Sequence, residues 1–180
     1  MDIRYDNQRV SRRNFLRAKA GQAAHVPLRP PWALAEKYFQ EACSRCGRCQ
    51  AACAERIVVE GDGGFPEIDF HKGECSFCGD CVSVCDDGAL QKWDAAPPWS
   101  YRAAITVEDC LSLHRVMCRT CGDACPSGAI QFQLQVGGVA RPQVSLEQCT
   151  GCGACVGPCP TRVVYIHTPP VEAEGDPSCA

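Results

Sequence analysis

The chain has 180 residues, a formal net charge of −3 and no apolar run long enough to cross a bilayer, so the sequence reads as one or two small soluble domains. Hydrophobic residues make up 46% of it, but that figure includes 17 cysteines, and the aliphatic and aromatic core is correspondingly thin. A domain with so little to bury needs cross-links, and the candidates are disulfides, zinc and iron-sulfur clusters.

Taken in chain order, the first feature is a basic N-terminal arm. Residues 1–30 carry seven Lys or Arg against two Asp, a balance of +5 that leaves −8 for the remainder. A basic arm on an acidic body suggests a partner contact or a solvated tail. It does not suggest nucleic acid, because an acidic body carrying anionic clusters repels phosphate. Within the arm, SRRNFLR (residues 11–17) resembles a twin-arginine export motif built on Arg12 and Arg13. The stretch that follows, AKAGQAAHVPLRPP, is interrupted by Lys19, His25 and Arg29 and lacks the apolar region of an export signal. Phe15 and Leu16 therefore read as the apolar edge of a short amphipathic helix, and ALAEKYFQEA as a second helix leading into the first cysteine run.

The cysteines fall into four runs. Cys43, Cys46, Cys49 and Cys53 form the first, and Cys75, Cys78, Cys81 and Cys85 the second, both spaced C-x2-C-x2-C-x3-C. The fourth, Cys149, Cys152, Cys155 and Cys159, repeats the spacing and ends in Pro160, which completes the bacterial ferredoxin signature. The third, Cys110, Cys118, Cys121 and Cys125 with Pro126, stretches the first gap to LSLHRVM, a loop insertion that leaves the ligands in order. Disulfide frameworks do not repeat in this way, and zinc usually takes two separated C-x2-C pairs, so the spacing favours clusters. Two residues between cysteines let a tight loop wrap one cubane with three thiolates. The fourth cysteine points to the neighbouring cluster. The expected ligand sets are therefore reciprocal: Cys43, Cys46, Cys49 with Cys85; Cys75, Cys78, Cys81 with Cys53; Cys110, Cys118, Cys121 with Cys159; and Cys149, Cys152, Cys155 with Cys125. That makes four [4Fe-4S] clusters on sixteen metal-ligating cysteines.

β-rich segments flank the runs at repeated positions: PEIDF, AAITV and PQVSL before, IVVE, AIQFQL and VVYI after. The expected class is α+β, two tandem bacterial-ferredoxin-like halves with a basic N-terminal arm. The boundaries are 1–42 for the arm and lead-in helix, 43–96 for the first two-cluster half, 97–168 for the second, and 169–180 for a disordered tail. Pro97 and Pro98 in KWDAAPPWSYR break any regular element between the halves. Ile57, Ile68, Ile105, Ile130, Val144 and Val163 are expected to shield the clusters. EGDGGF reads as a turn between strands, Cys179 as a spare thiol and the four histidines as surface residues. No nucleophile and base constellation stands out, so the chain reads as a carrier without a substrate site of its own.

The order SRRNFLR, then RPPWA, then an aromatic-bearing helix into CSRCGRCQAAC, then three further cysteine runs, resembles the NapF family of ferredoxin-type accessory proteins over nearly the whole chain. The resemblance implies a cytoplasmic protein that binds the precursor of the periplasmic nitrate reductase catalytic subunit before export and assists its maturation. The chain departs from the usual repeat at Cys53-Ala54 and Cys85-Asp86, where proline is expected after the last cysteine. An electron-transfer subunit of a larger oxidoreductase is the alternative reading, and a zinc-bound scaffold a third.

Overall fold

A computed structural model describes residues 26–93, 97–137 and 139–169. SRRNFLR, the Phe15–Leu16 edge and Cys179 lie outside these residues. The described chain builds the same plan twice. In the first half, α1 (Glu36–Ala42) leads into the first cysteine run, whose third cysteine sits in α2 (Arg48–Ala52). Strand β1 (Val58–Glu60) turns through EGDGGF and returns as β2 (Pro66–Ile68), with Val58 opposite Ile68. The second run follows, with its third cysteine in α3 (Asp80–Ser83).

In the second half, β3 (Arg102–Ile105) precedes the third run, and α4 (Thr120–Asp123) carries its third cysteine. Strands β4 (Ile130–Gln135) and β5 (Val139–Val144) form a hairpin, and β6 (Val164–His167) returns after the fourth run to pair antiparallel with β3. All six segments read as β-rich become strands, since each is rich in apolar and β-branched or aromatic residues beside a cysteine loop. The insertion LSLHRVM is more regular than a plain loop: Leu111–His114 form a 3-10 turn.

The halves differ at one edge. Where β3 and β6 form a four-pair ladder, the first half has a single antiparallel bridge between Ala33 and Leu90. That weaker edge is reinforced by the RPPWA segment. Arg29 is buried at 7% exposure, and its guanidinium binds both carboxylate oxygens of Glu36 (2.7 and 2.9 Å) and the Pro66 carbonyl (3.0 Å). The same group lies 4.9 Å from the centre of the Phe39 ring and 5.5 Å from that of Phe65. Such a planar, delocalised cation can satisfy a carboxylate edge-on while its faces meet aromatic rings. Glu36, in the first turn of α1, also complements the positive end of that helix.

Ile57, Ile68, Ile130 and Val163 are buried, and Ile105 and Val144 half-buried, in one apolar cluster that runs across both halves. The connector supplies its seam. Residues 97–101 form no regular element, yet the Trp32 N–H donates to the Pro98 carbonyl (2.6 Å) and the Trp99 indole to the Thr150 carbonyl (2.9 Å). Trp99 also meets Phe70, Phe77 and Tyr101 edge-on or tilted. Gly153, with φ +83°, lies so close to Phe70 that a Cβ there would overlap the ring.

Removing the guanidinium would leave Glu36 without its fork and the Pro66 carbonyl without a donor. Arg29→Ala is expected to lower stability by about 2–4 kcal/mol, and Arg29→Lys by less, since lysine keeps the charge but not the fork. Anaerobic thermal unfolding of the three proteins checks this ordering; equal midpoints for Arg29→Ala and the parent would refute it.

Candidate metal centre

Each run closes on the same turn. The N–H three residues past the last cysteine donates back to that cysteine's carbonyl: Arg56 to Cys53, Gly88 to Cys85, Gly128 to Cys125 and Arg162 to Cys159, at 3.0 to 3.3 Å. All four donors have φ between 55° and 69°. Glycine adopts that left-handed backbone freely, whereas the two arginines carry a strain on the order of 1–2 kcal/mol each. Pro126 and Pro160 occupy the second position of their turns, where a fixed φ is suitable. Ala54 and Asp86 stand there in the first half and the turn still closes, so the missing prolines leave the exit geometry intact.

From the turn, the chain joins its strand through a second repeated contact. The carbonyls of Ile57, Ala89, Ala129 and Val163 accept hydrogen bonds from Asp69, Leu34, Ser145 and Thr106 respectively, at 2.8 to 3.1 Å. Each acceptor lies four residues past a last cysteine, and each donor precedes the partner run of the same half. Pairing the strands in this way carries the last cysteine of one run to the loop of the other.

The thiols accordingly fall into four groups. Cys43, Cys46, Cys49 and Cys85 line one cavity of about 130 Å³. Cys53, Cys75, Cys78 and Cys81 line a second of about 30 Å³, and Cys125, Cys149, Cys152 and Cys155 another of about 10 Å³. In the fourth group, charge on Cys110, Cys159 and Cys118 acts on Cys121. The groups are also close to one another. Cys81 feels Cys49 of the first group, and Cys75 feels Cys152 of the second half, whose carbonyl accepts the Cys75 N–H at 2.8 Å. The sites therefore form a row in which the second-run loop meets the fourth-run loop across the seam.

Position within a run decides each thiol's chemistry. The third cysteine is the most desolvated, and burial, reinforced by neighbouring thiolates, pushes Cys81 and Cys155 up to about 12 and Cys121 to about 11. Burial likewise raises Cys49, and raises Cys75 to about 11. The second cysteine marks the open edge, exposed at Cys46 and Cys78 and half-buried at Cys118 and Cys152. At Cys46, a hydrogen bond from the Arg48 side chain (3.3 Å) lowers the thiol to about 7. Arg48 is itself paired with Asp86 and lies 3.9 Å from Asp87.

Last cysteines in the second half gain donors. Burial opposes ionisation of Cys125, but hydrogen bonds from the Ser127 hydroxyl and from the N–H groups of Ala129, Ile130 and Ser127 outweigh it and lower the thiol. Cys159 is lowered against the same opposition by Val163, Thr161 and Val164. The hydroxyls of Ser127 and Thr161 approach their sulfurs at 3.5 and 3.9 Å. Ser127 and Thr161 escaped the reading of the sequence, although a hydroxyl residue two positions past a last cysteine is a usable signal. Glu55 and Asp87 hold the matching positions in the first half, and a carboxylate cannot donate there.

The donor set suits iron-sulfur chemistry. Sixteen described cysteines are free thiols, and they converge in fours with apolar residues behind them. Among the described residues, no group of three or more His, Cys, Asp or Glu is placed to hold one metal ion. Thiolates around a single zinc lie about 3.8 Å apart, from Zn–S bonds of about 2.3 Å, whereas the bulk of a cubane spreads its ligands more widely.

Comparison with known proteins agrees with this chemistry. Residues 42–90 and 114–163 each match a 4Fe-4S dicluster domain model. A ferredoxin-type protein NapF of Haemophilus influenzae is 46% identical over 169 residues, covering 89% of this chain and 95% of the relative. The chain belongs to the NapF family of ferredoxin-type proteins. NapF of Escherichia coli is 35% identical over 88% of this chain and 96% of its own length. A methylamine utilization ferredoxin-type protein, MauM of Methylobacillus flagellatus, is 34% identical over 88% of this chain and 74% of its own. Two tandem dicluster ferredoxin domains are thus the framework of this NapF-family chain, with [4Fe-4S] clusters as their cofactors. Among its described residues no helix is long and apolar enough to cross a membrane.

In cluster-free protein the thiolate at Cys46 is present above about pH 7 and lost as pH falls through that value. Iodoacetamide at pH 7.5 is expected to label Cys46 well before Cys81 or Cys155, and Arg48→Ala to move the labelling midpoint up into the ordinary thiol range. Peptide mass mapping across pH reads both effects; labelling of Cys81 as fast as Cys46 would contradict them.

Proposed function

We propose that this protein carries four [4Fe-4S] clusters on sixteen cysteines and serves in the cytoplasm as a maturation factor for the periplasmic nitrate reductase catalytic subunit. It binds the precursor before export and either passes electrons to it or supports assembly of its cofactors. Membership of the NapF family together with reciprocal thiol quartets is the observation that carries this reading.

When bound, such clusters supply one-electron oxidation and reduction without proton or group transfer. The chain's own residues set the conditions. Cysteines hold, apolar side chains exclude water, and the N–H and hydroxyl groups around Cys125 and Cys159 favour the anionic sulfurs that ligation requires. The absence of a nucleophile and base pair from the sequence fits a carrier rather than an enzyme. Oxygen-sensitive clusters on free thiolates favour the reducing cytoplasm.

The second reading, an electron-transfer subunit of a larger oxidoreductase, is favoured by the row of sites, because closely spaced centres conduct in sequence. The two differ in lifetime: a maturation factor leaves the mature enzyme, while a subunit copurifies with it.

Reciprocal ligation makes a distinct prediction for paired substitutions. Cys46→Ser and Cys85→Ser should damage the same site, so the double variant is expected to lose no more iron than either single change, about four of sixteen atoms. Cys46→Ser with Cys53→Ser should lose about eight. Anaerobic iron analysis with electron paramagnetic resonance decides this, and additive losses in the first pair would exclude the crossover.

For the partner, an anaerobic pull-down with the nitrate reductase precursor is expected to retain it on the full chain and to weaken at least tenfold on deleting residues 1–25, which spares the Arg29 anchor. Undiminished retention would remove the role of the arm, and no retention by either form would remove the maturation reading.

A further inference from the structure

The third-run insertion and the β4–β5 hairpin enclose a groove of about 380 Å³ that the maturation reading leaves unused. The Ser112 hydroxyl bonds the Ala140 carbonyl and so fixes the 3-10 turn of the insertion against β5. Arg115, Met117, Cys118, Arg119, Phe132 and Leu134 face the space between them. Two features set this surface apart. Met117 is 98% exposed and Leu134 87%, with fully exposed Val136 nearby, an apolar display that soluble surfaces usually avoid unless something covers it. Its charge is also opposite to that of the body. The residues lining it include two arginines and no Asp or Glu, in a chain that carries −8 beyond residue 30.

The cations of this groove are available. Among the described residues neither Arg115 nor Arg119 has an ion-pair partner; Arg119 instead stacks 5.4 Å from the Phe132 ring centre. Arg48, beside the open edge of the first-run site, is by contrast neutralised by Asp86 and Asp87. The groove also reaches a ligand position directly, since Cys118 is the open-edge cysteine of the third-run site. Because the second- and fourth-run loops meet at the seam, the third-run site stands at one end of the row.

We propose that this groove docks a small acidic one-electron carrier protein of the flavodoxin class and is where electrons enter the row. The proposal rests on the cluster-bearing reading above. One electron leaves the carrier's fully reduced flavin and is taken up at the third-run site; no bond forms or breaks, and no proton crosses the interface. Apolar contact around Met117 and Leu134 excludes water at the crossing point, while Arg115 and Arg119 orient the acidic partner and speed its encounter.

The test is anaerobic stopped-flow mixing of the iron-loaded full chain with a reduced flavodoxin, following flavin absorbance, with iron measured on every sample. The double variant Arg115→Glu with Arg119→Glu is expected to lower the second-order rate constant at least tenfold at low ionic strength and to flatten its salt dependence. Leu134→Ser, at an 87% exposed position that is not a metal ligand, should lower it several-fold. Arg141→Glu, which lies beside Gln133 on the other face of the hairpin, and Lys72→Glu should change it less than twofold. With iron intact, equal rates for groove and control variants, or no electron transfer to the parent protein, overturn the proposal alone. A parent protein without iron overturns the cluster reading as well. Should the double arginine variant lose iron, Leu134→Ser decides by itself.

Discussion

Every part of this molecule answers to one constraint: each cysteine loop gathers around a cavity that it shares with a cysteine from a loop dozens of residues away. A self-sufficient cysteine loop needs no fold around it. A loop that borrows its last sulfur needs strands paired in a fixed register, a turn that releases the chain in a fixed direction, and an apolar wall that keeps both in place. The left-handed turn after each last cysteine meets the second need. Its persistence at Arg56 and Arg162, where the residue type resists it, shows that the fold imposes the conformation rather than inherits it.

The same requirement explains where the thin core is spent. Buried Ile57, Val58, Ala129, Ile130, Val163 and Val164 lie four and five residues past a last cysteine, and Ala89 and Leu90 complete the set. These pairs stand between sulfur and solvent in all four repeats. Desolvation there works against free thiolates, as the raised values of Cys81, Cys121 and Cys155 show, so a metal that accepts their charge relieves a penalty already present in the folded chain.

Much of this was legible beforehand. Cysteine spacing carries the repeat, and the apolar and β-branched segments beside each run carry the flanking strands. What escaped depends on contacts between distant residues. RPPWA was legible as a marker of the family, but nothing local says that Arg29 will be enclosed by Glu36, Phe39, Phe65 and the Pro66 carbonyl. Pro97 and Pro98 mark a break in regular structure, and a break in backbone pattern does not reveal that Trp99 will fill the seam. Nor does the length of LSLHRVM disclose that its first residues coil and its last ones border a groove.

The Arg29 contact carries a mechanical corollary. It is the first buried anchor that the described chain makes after Val26, and Phe39, against which its guanidinium lies, lines the first-run cavity beside Cys43 and Cys46. Tension applied to the chain upstream therefore reaches the wall of the first-run cavity through Phe39, that of the second-run cavity through the Leu28 carbonyl on the Ile68 N–H, and the second half through the Arg29 N–H on the Tyr101 hydroxyl. Whatever grips the leading segment holds a handle on both halves at once, since Arg29 and Trp32 also tie it to Tyr101 and Pro98.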